Sequence, residues 1–354
     1  MIPITCQLRP LDGNYRLDKP RHLCYYGGRK RAQMDNLTFA KLRNLTEDQA
    51  RETLEAIRWP SGPVCPHCGS VEAYKLTPKP TSKKAVRPGV YKCKACRQQF
   101  TVTVGTVMER SRIKIADWLM GFYLMCSSKK GISAHQLHRT LGLSYEAAWF
   151  MEHRIRFAMT QEPLSTLMDG DVELDATYIG GKERFKHANK RIRDARGSVG
   201  KVPVFALVER GKELRAKKMT VPSNYNMRDE VRKYVSPSAT LITDDAAGYQ
   251  MIYKDYPTHE IVRHSAREYV RGNAHINTLE GWFALLKRGV TGTFHHVSEQ
   301  HLDRYIDEFA FRYNRRKVTD AERAGMAIKA SGGKRLMYKD PIRKLGLDAS
   351  KRQD

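Results

Sequence analysis

The sequence predicts an α+β protein of several domains: a small cysteine-bearing β module, a helical region and a larger mixed α/β core. Three observations predict it. Four of the seven cysteines fall in two C-x-x-C pairs, Cys65/Cys68 and Cys93/Cys96. The stretch after them carries helical apolar spacing, and from residue 171 strand-like runs alternate with amphipathic ones. Lys and Arg number 63 against 38 Asp and Glu, a net charge of +25 over 354 residues, which favours a polyanionic partner, nucleic acid or an anionic membrane surface. A hydrophobic content of 41% supplies real cores and excludes a wholly disordered basic protein. No apolar run reaches the roughly 18 residues a spanning helix needs. The first residues lack the basic and apolar regions of a signal peptide, so a cytoplasmic protein is expected, with its cysteines reduced.

Taken in order, residues 1–33 hold three prolines, three glycines and the run Arg29-Lys30-Arg31. They read either as a basic, disordered arm or as sequence upstream of a start at Met34. Residues 34–63 form a helical segment. Thr46 caps it with Gln49 three residues on, and Pro60, Gly62 and Pro63 stop it. Residues 64–110 form the β module, with Tyr91, Phe100, Val102 and Val104 alternating and a basic loop between Pro78 and Pro88. In residues 111–165, Ile115, Trp118, Leu119, Phe122 and Tyr123 share one helical face; Ser133 caps a helix from Ala134, and after Gly142, Ser144 caps another from Tyr145 to Phe157. That is a helix-turn-helix pattern, in which Arg154 and Arg156 of the second helix are DNA-contact candidates. Residues 166–320 read as strands at 172–179, 202–208, 214–221, 240–243 and 259–262, with helices at 226–235, 276–287 and 298–313. Residues 321–354 read as a basic tail.

The two cysteine pairs are separated by 93 − 68 − 1 = 24 residues. Each C-x-x-C turn points two thiolates at one metal, and two such turns close a tetrahedron around Zn2+ with no open position, so the zinc is structural. His67 ranks below the four cysteines as a ligand, and Cys6, Cys24 and Cys126 are plain thiols. Lys79, Lys83, Lys84, Arg87, Lys92, Lys94 and Arg97 around the pairs favour phosphate contact.

Three carboxylates stand where metal chemistry would choose them: Asp175 inside an apolar strand, Asp244 at the end of Leu241-Ile242-Thr243, and Glu280 on the helix after His275. A carboxylate on a core strand is costly unless a cation or hydrogen bonds offset it. Converging, the three make an oxygen site for two Mg2+ or Mn2+ ions, suited to phosphodiester chemistry. Lys287 and Asn277 share Glu280's helix face and can reach a phosphate. Asp171, Glu173 and Asp245 are neighbouring acids outside this set.

The stretches V-E-L-D-A-T-Y-I-G-G-K (172–182), L-I-T-D-D-A-A-G-Y (241–249), H-S-A-R-E-Y-V-R-G (264–272), H-I-N-T-L-E-G-W-F-A-L-L-K-R-G (275–289), T-G-T-F-H-H-V-S (291–298) and H-L-D-R-Y-I-D-E-F-A-F-R-Y-N-R-R (301–316) resemble bacterial zinc-ribbon transposases with an Asp-Asp-Glu site, the family named after insertion sequence 1595. The resemblance runs from about Met34 to about Tyr338. It implies a ribonuclease-H-like core with Asp175, Asp244 and Glu280 as catalytic and Mg2+-holding residues, followed by the family's lysine at Lys287. It also implies binding of double-stranded DNA at the element's terminal repeats, cleavage there, joining of the 3′-OH to target DNA, and a homodimer or higher oligomer. One departure is Ala176, where the family usually has Glu; alternation points residue 176 away from Asp175's face. Residues 182–218 carry 13 Lys/Arg against 4 Asp/Glu, net +9; Lys186, Lys190, Arg191 and Arg193 are assigned to DNA. A transposase-derived DNA-binding regulator without catalysis, and a metal-dependent nuclease that cuts without joining, are the alternatives.

Overall fold

The computed structural model describes residues 37–77, 86–181, 185–193, 197–220, 223–249 and 252–342. The basic arm (1–33), Lys79, Lys83 and Lys84 of the ribbon loop, and the end of the tail (343–354) lie outside the described residues.

The described residues begin with two helices, α1 (Phe39–Arg43) and α2 (Glu47–Arg58). The capping box read from Thr46 and Gln49 forms: Thr46 Oγ1 accepts from the Gln49 amide at 3.3 Å, and Gln49 Oε1 accepts from the Thr46 amide at 2.9 Å. Ala50, Leu54 and Ile57, spaced 4 and 3 residues apart, are the buried stripe of α2. The ribbon is a three-stranded antiparallel sheet of β1 (Ala73–Lys75), β2 (Tyr91–Cys93) and β3 (Gln99–Phe100). Trp59, just past α2, meets the rings of Tyr91 and Phe100 edge-on at 5.4 and 5.8 Å. Val102 and Val104, expected to extend the strand, lie in turns instead. There the Thr106 hydroxyl bonds the Thr103 carbonyl, and Gly105 adopts a left-handed φ of 69°.

Helix α3 (Ile115–Ser127) is buried on nearly every side, through Trp118, Leu119, Met120, Phe122, Met125 and Cys126. Its first amides have no capping side chain of their own; Glu47 of α2 accepts from the Ile115 amide at 2.9 Å. The predicted pair follows, α4 (Ala134–Leu141) and α5 (Tyr145–Ala158), with Ser133 and Ser144 as caps and Gly142 left-handed between them. Ribbon and helices share one apolar core. The segment read as a basic tail begins with another of its members: α9 (Asp320–Lys329) is capped by a Thr319–Glu322 box and inserts Ala324, Ala327 and Ile328. Its small apolar residues give a weak periodic signal, which is why the sequence reading missed it.

The second unit is a five-stranded sheet: β4 (Asp171–Ile179), β5 (Val202–Glu209), β6 (Leu214–Lys218), β7 (Thr240–Asp244) and β8 (His259–Val262), in spatial order β6-β5-β4-β7-β8. The first three pair antiparallel, and β7 and β8 join parallel. Alternation sorts the sheet's faces. Val172, Leu174, Phe205 and Leu207 meet α6 (Asn224–Tyr234), whereas Ile179, Val204, Ala206 and Val208 meet α7 (Asn277–Gly292) and α8 (Leu302–Asn314). Helix α7 runs five residues past the expected end at Lys287. It approaches α8 at Gly289, where a Cβ would stand 2.3 Å from Phe309 Cζ and 3.0 Å from the Lys130 carbonyl oxygen. Gly289→Ala gains helix propensity of about 1 kcal/mol but must displace an aromatic ring, at about 1–3 kcal/mol. A net loss of stability is expected in urea denaturation, and an unchanged midpoint would show that α7 has room to move.

Candidate active site

Strand β4 pairs in parallel with β7 as Asp171↔Thr240, Val172↔Leu241 and Glu173↔Ile242. Continuing that register by two residues sets Asp175 level with Asp244, at the point where β7 ends. Both strands are central, so the carboxylates stand on the best-supported part of the sheet. Ala176 packs with the apolar cluster on the opposite face, as its alternation requires. Residue 176 therefore does not share Asp175's face.

Glu280 comes from the other direction, on the first turn of α7. The residue before that helix, Ile276, offers no side-chain cap. The cap is Glu173, from β4. Its fully buried carboxylate accepts from the Thr278 amide at 3.0 Å, the Leu279 amide at 3.1 Å and the Thr278 hydroxyl at 2.7 Å. Arg210, at the end of β5, donates through Nε to Glu173 at 2.8 Å and through Nη2 to the His275 carbonyl at 2.7 Å. Its Nη1 reaches the Asn273 carbonyl at 2.7 Å. A negative charge on helix amides is also the favourable sign for the helix dipole. The sequence reading set Glu173 aside as a neighbouring acid, yet it ties the helix bearing Glu280 to the strand bearing Asp175, two residues away on the same face. The signal available was a second acid in an apolar strand with no partner in its own segment.

The electrostatics bring the chosen residues together. Burial, then the Asp244 charge, with Glu280 adding to both, push the Asp175 carboxyl up to about 7; the Ala176 amide and Lys287 oppose the shift. Asp244 is also raised, chiefly by burial, against a hydrogen bond from the Ala246 amide and the charge of His264. Tyr249, 3% exposed, places its hydroxyl on Asp175, and its own ionisation is pushed far up by burial and by the Asp175 and Asp244 charges. The sequence reading missed this tyrosine, which follows Asp244 by five residues in D-D-A-A-G-Y. Glu280, Asn277 and Lys287 are exposed along α7. Among the described residues the three carboxylates are not drawn within 4.8 Å of one another. An all-oxygen set, with one carboxyl raised by burial and by its acidic neighbours, fits a hard divalent ion.

The four paired cysteines converge more tightly. The Sγ atoms of Cys65, Cys68, Cys93 and Cys96 all lie within 4.8 Å of one another, a four-cysteine cluster that fits structural zinc. Gly69 and Arg97, both left-handed, turn the chain behind each pair. His67 is exposed and outside the cluster, and Cys126 is a buried thiol pushed up to about 12 by burial.

The assignment of Arg154 and Arg156 to DNA is corrected. Arg156 is fully buried, bonded to Glu308 at 2.7 Å and Glu152 at 3.1 Å. Arg154 is 8% exposed, bonding the Leu336 and Glu109 carbonyls and lying 4.5 Å over the Phe150 ring. Neither guanidinium faces a groove. From Ala148 on, α5 is almost wholly covered, and Tyr145 and Glu146 are its exposed residues. Arg191 and Arg193 are exposed beyond β4, with Arg191 Nε donating to the Lys186 carbonyl at 2.8 Å; Lys190 ends a 3-10 turn, and its side chain lies outside the description.

Residues 167–314 match the family described as an ISXO2-like transposase domain, and residues 45–99 match a transposase zinc-ribbon domain. A protein in transposable element ISH50 of Halobacterium salinarum is 27% identical over 288 residues, covering 76% of this chain and 91% of that protein. No solved structure matches the chain. The first match begins just before β4 and ends with α8, so it contains every residue of the carboxylate site.

The raised Asp175 carboxyl has a stability consequence. Its folded pKa lies above its unfolded one, so its contribution is full below about pH 4 and is lost as the pH rises to about 7. Without divalent ions, the wild type is expected to lose stability relative to Asp175→Asn across that window. Parallel urea-denaturation curves for the two proteins at pH 4.5 and 7.5 would place the titrating group elsewhere.

Proposed function

We propose, for a chain whose ribbon and core place it with the zinc-ribbon transposases of insertion sequences, that it cuts DNA at the ends of its element and joins the freed 3′-OH to target DNA. The observation that carries this reading is the register that sets Asp175 level with Asp244, with the charges of Asp244 and Glu280 raising the Asp175 carboxyl and Lys287 opposing them. The strand order β6-β5-β4-β7-β8, three antiparallel strands followed by two parallel ones, supports a ribonuclease-H-like core. Asp175, Asp244 and Glu280 would hold Mg2+ or Mn2+, which when bound supplies charge neutralisation at the attacking and leaving oxygens of a phosphodiester. Glu173 and Arg210 fix the helix that presents Glu280. Tyr249 orients the Asp175 carboxylate. Lys287 and Asn277, exposed beside Glu280, bind backbone phosphate, and Arg191, Arg193, Lys186 and Lys190 extend that contact along the DNA. The exposed start of α5 and the basic ribbon flank hold the terminal repeat. Two ends must be brought together for insertion, so the working form is at least a dimer on DNA.

The test is a cleavage and strand-transfer assay on duplexes carrying the element's ends, with Mg2+. Asp175→Asn and Glu280→Gln should each lower both products by more than about 100-fold, the upper range for losing an outer-shell partner of a metal ligand, with DNA binding retained. Cut ends that are never joined would make the protein a nuclease. Binding with neither product, in the wild type, would make it a regulator.

A further inference from the structure

The segment between β8 and α7 is a basic loop with exposed aromatic and aliphatic side chains, fastened to the Asp244 side of the site. Ser265 donates its hydroxyl to Asp245, the residue after Asp244. The loop's own backbone is closed: the Ala266 and Glu268 amides bond the Arg263 carbonyl at 3.0 Å, and Glu268 Oε2 accepts from the Arg263 amide at 3.3 Å. Arg267 sits left-handed at φ 60° to make this turn. The segment is therefore a shaped platform whose position relative to the catalytic strand is set.

What it presents is unusual for a solvated loop. Tyr269 is 58% exposed and Val270 53% exposed. One side of the Tyr269 ring is backed by His264, with ring centroids 5.2 Å apart. Three arginines stand in residues 263–271 against one glutamate. Among the described residues Arg263 and Arg267 have no carboxylate within ion-pair distance, and Arg271 meets Glu268 only at 3.9 Å. Exposed apolar surface flanked by unpaired guanidinium groups suits a ligand with alternating flat and anionic parts, which is the chemistry of a nucleic-acid strand with its bases turned out.

We propose that this loop is a binding site for an unstacked nucleotide of the DNA strand beside the cut: Tyr269 and Val270 take the base, and Arg263 and Arg267 take the flanking phosphates. The proposal rests on the transposase reading and adds to it a local opening of the duplex at the active site. Stacking on the Tyr269 ring offsets the cost of opening a terminal base step.

The experiment uses the full chain and an end duplex carrying 5-iodouracil in turn at each position flanking the cut, irradiated and mapped by mass spectrometry. A cross-link to Tyr269 from one flanking position is expected. Tyr269→Ala, at an exposed position that leaves the fold alone, should lose that cross-link and weaken end binding by about 5- to 150-fold, the range for removing one stacking aromatic. Tyr269→Phe should keep both. If the wild type cuts the ends, yet no position cross-links to Tyr269 and Tyr269→Ala binds and cuts normally, the platform is overturned and the transposase reading stands. If the wild type neither binds nor cuts the ends, the transposase reading falls, and the platform falls with it.

Discussion

A buried carboxylate at a helix start organises this site. Glu173 is shut away from water, and every charge so placed must be answered by donors. Here they are two helix amides, a hydroxyl and a guanidinium. The same bonds satisfy amides that α7 would otherwise leave orphaned. Because Glu173 and Asp175 share a face of β4, the cap sets where Glu280 stands relative to Asp175. Arg210 closes the arrangement by holding the segment before α7 through His275 and Asn273. Removing one member leaves the others buried and unpaired, at about 3–5 kcal/mol for a buried ion pair.

A second buried network joins the two units of the chain. Arg156 of α5 lies between Glu152 of its own helix and Glu308 of α8, and Arg312 pairs with Glu308 from one turn along. Burial pushes Glu152 up to about 7 despite Arg156 beside it. The guanidinium of Arg156 also lies 3.9 Å over the Tyr305 ring. Such a set contributes register more than stability. It aligns the helical and ribbon unit with the sheet whose inner strands carry the carboxylates. Arg156, which the helix-turn-helix reading sent to DNA, serves this joint.

Much of the fold was legible because local rules decided it. The caps at Thr46, Ser133 and Ser144, the left-handed Gly142 and the strand beginning near Val172 all follow from short-range chemistry. The four cysteines were legible for the same reason, since metal geometry fixes their spacing. Asp175 and Asp244 stood out as acids among apolar strand residues. Glu173 had the same signature and was passed over, because its partners lie 37 and 105 residues away and spacing does not show them. Arg154 and Arg156 were misread because a charge on a helix looks solvent-facing until its tertiary partners are known. Helix α9 was hidden by its alanines and by the lysines and arginines around it.

The account turns on Glu173 as the cap of α7, and amide hydrogen exchange reads that cap directly. In Glu173→Gln one acceptor and the charge facing Arg210 are lost while shape is kept. The Thr278 and Leu279 amides should be protected in the wild type and exchange markedly faster in the variant, with cleavage falling and DNA binding held. Equal protection of both amides in the two proteins would contradict the account, because the helix bearing Glu280 would then be held by something other than β4.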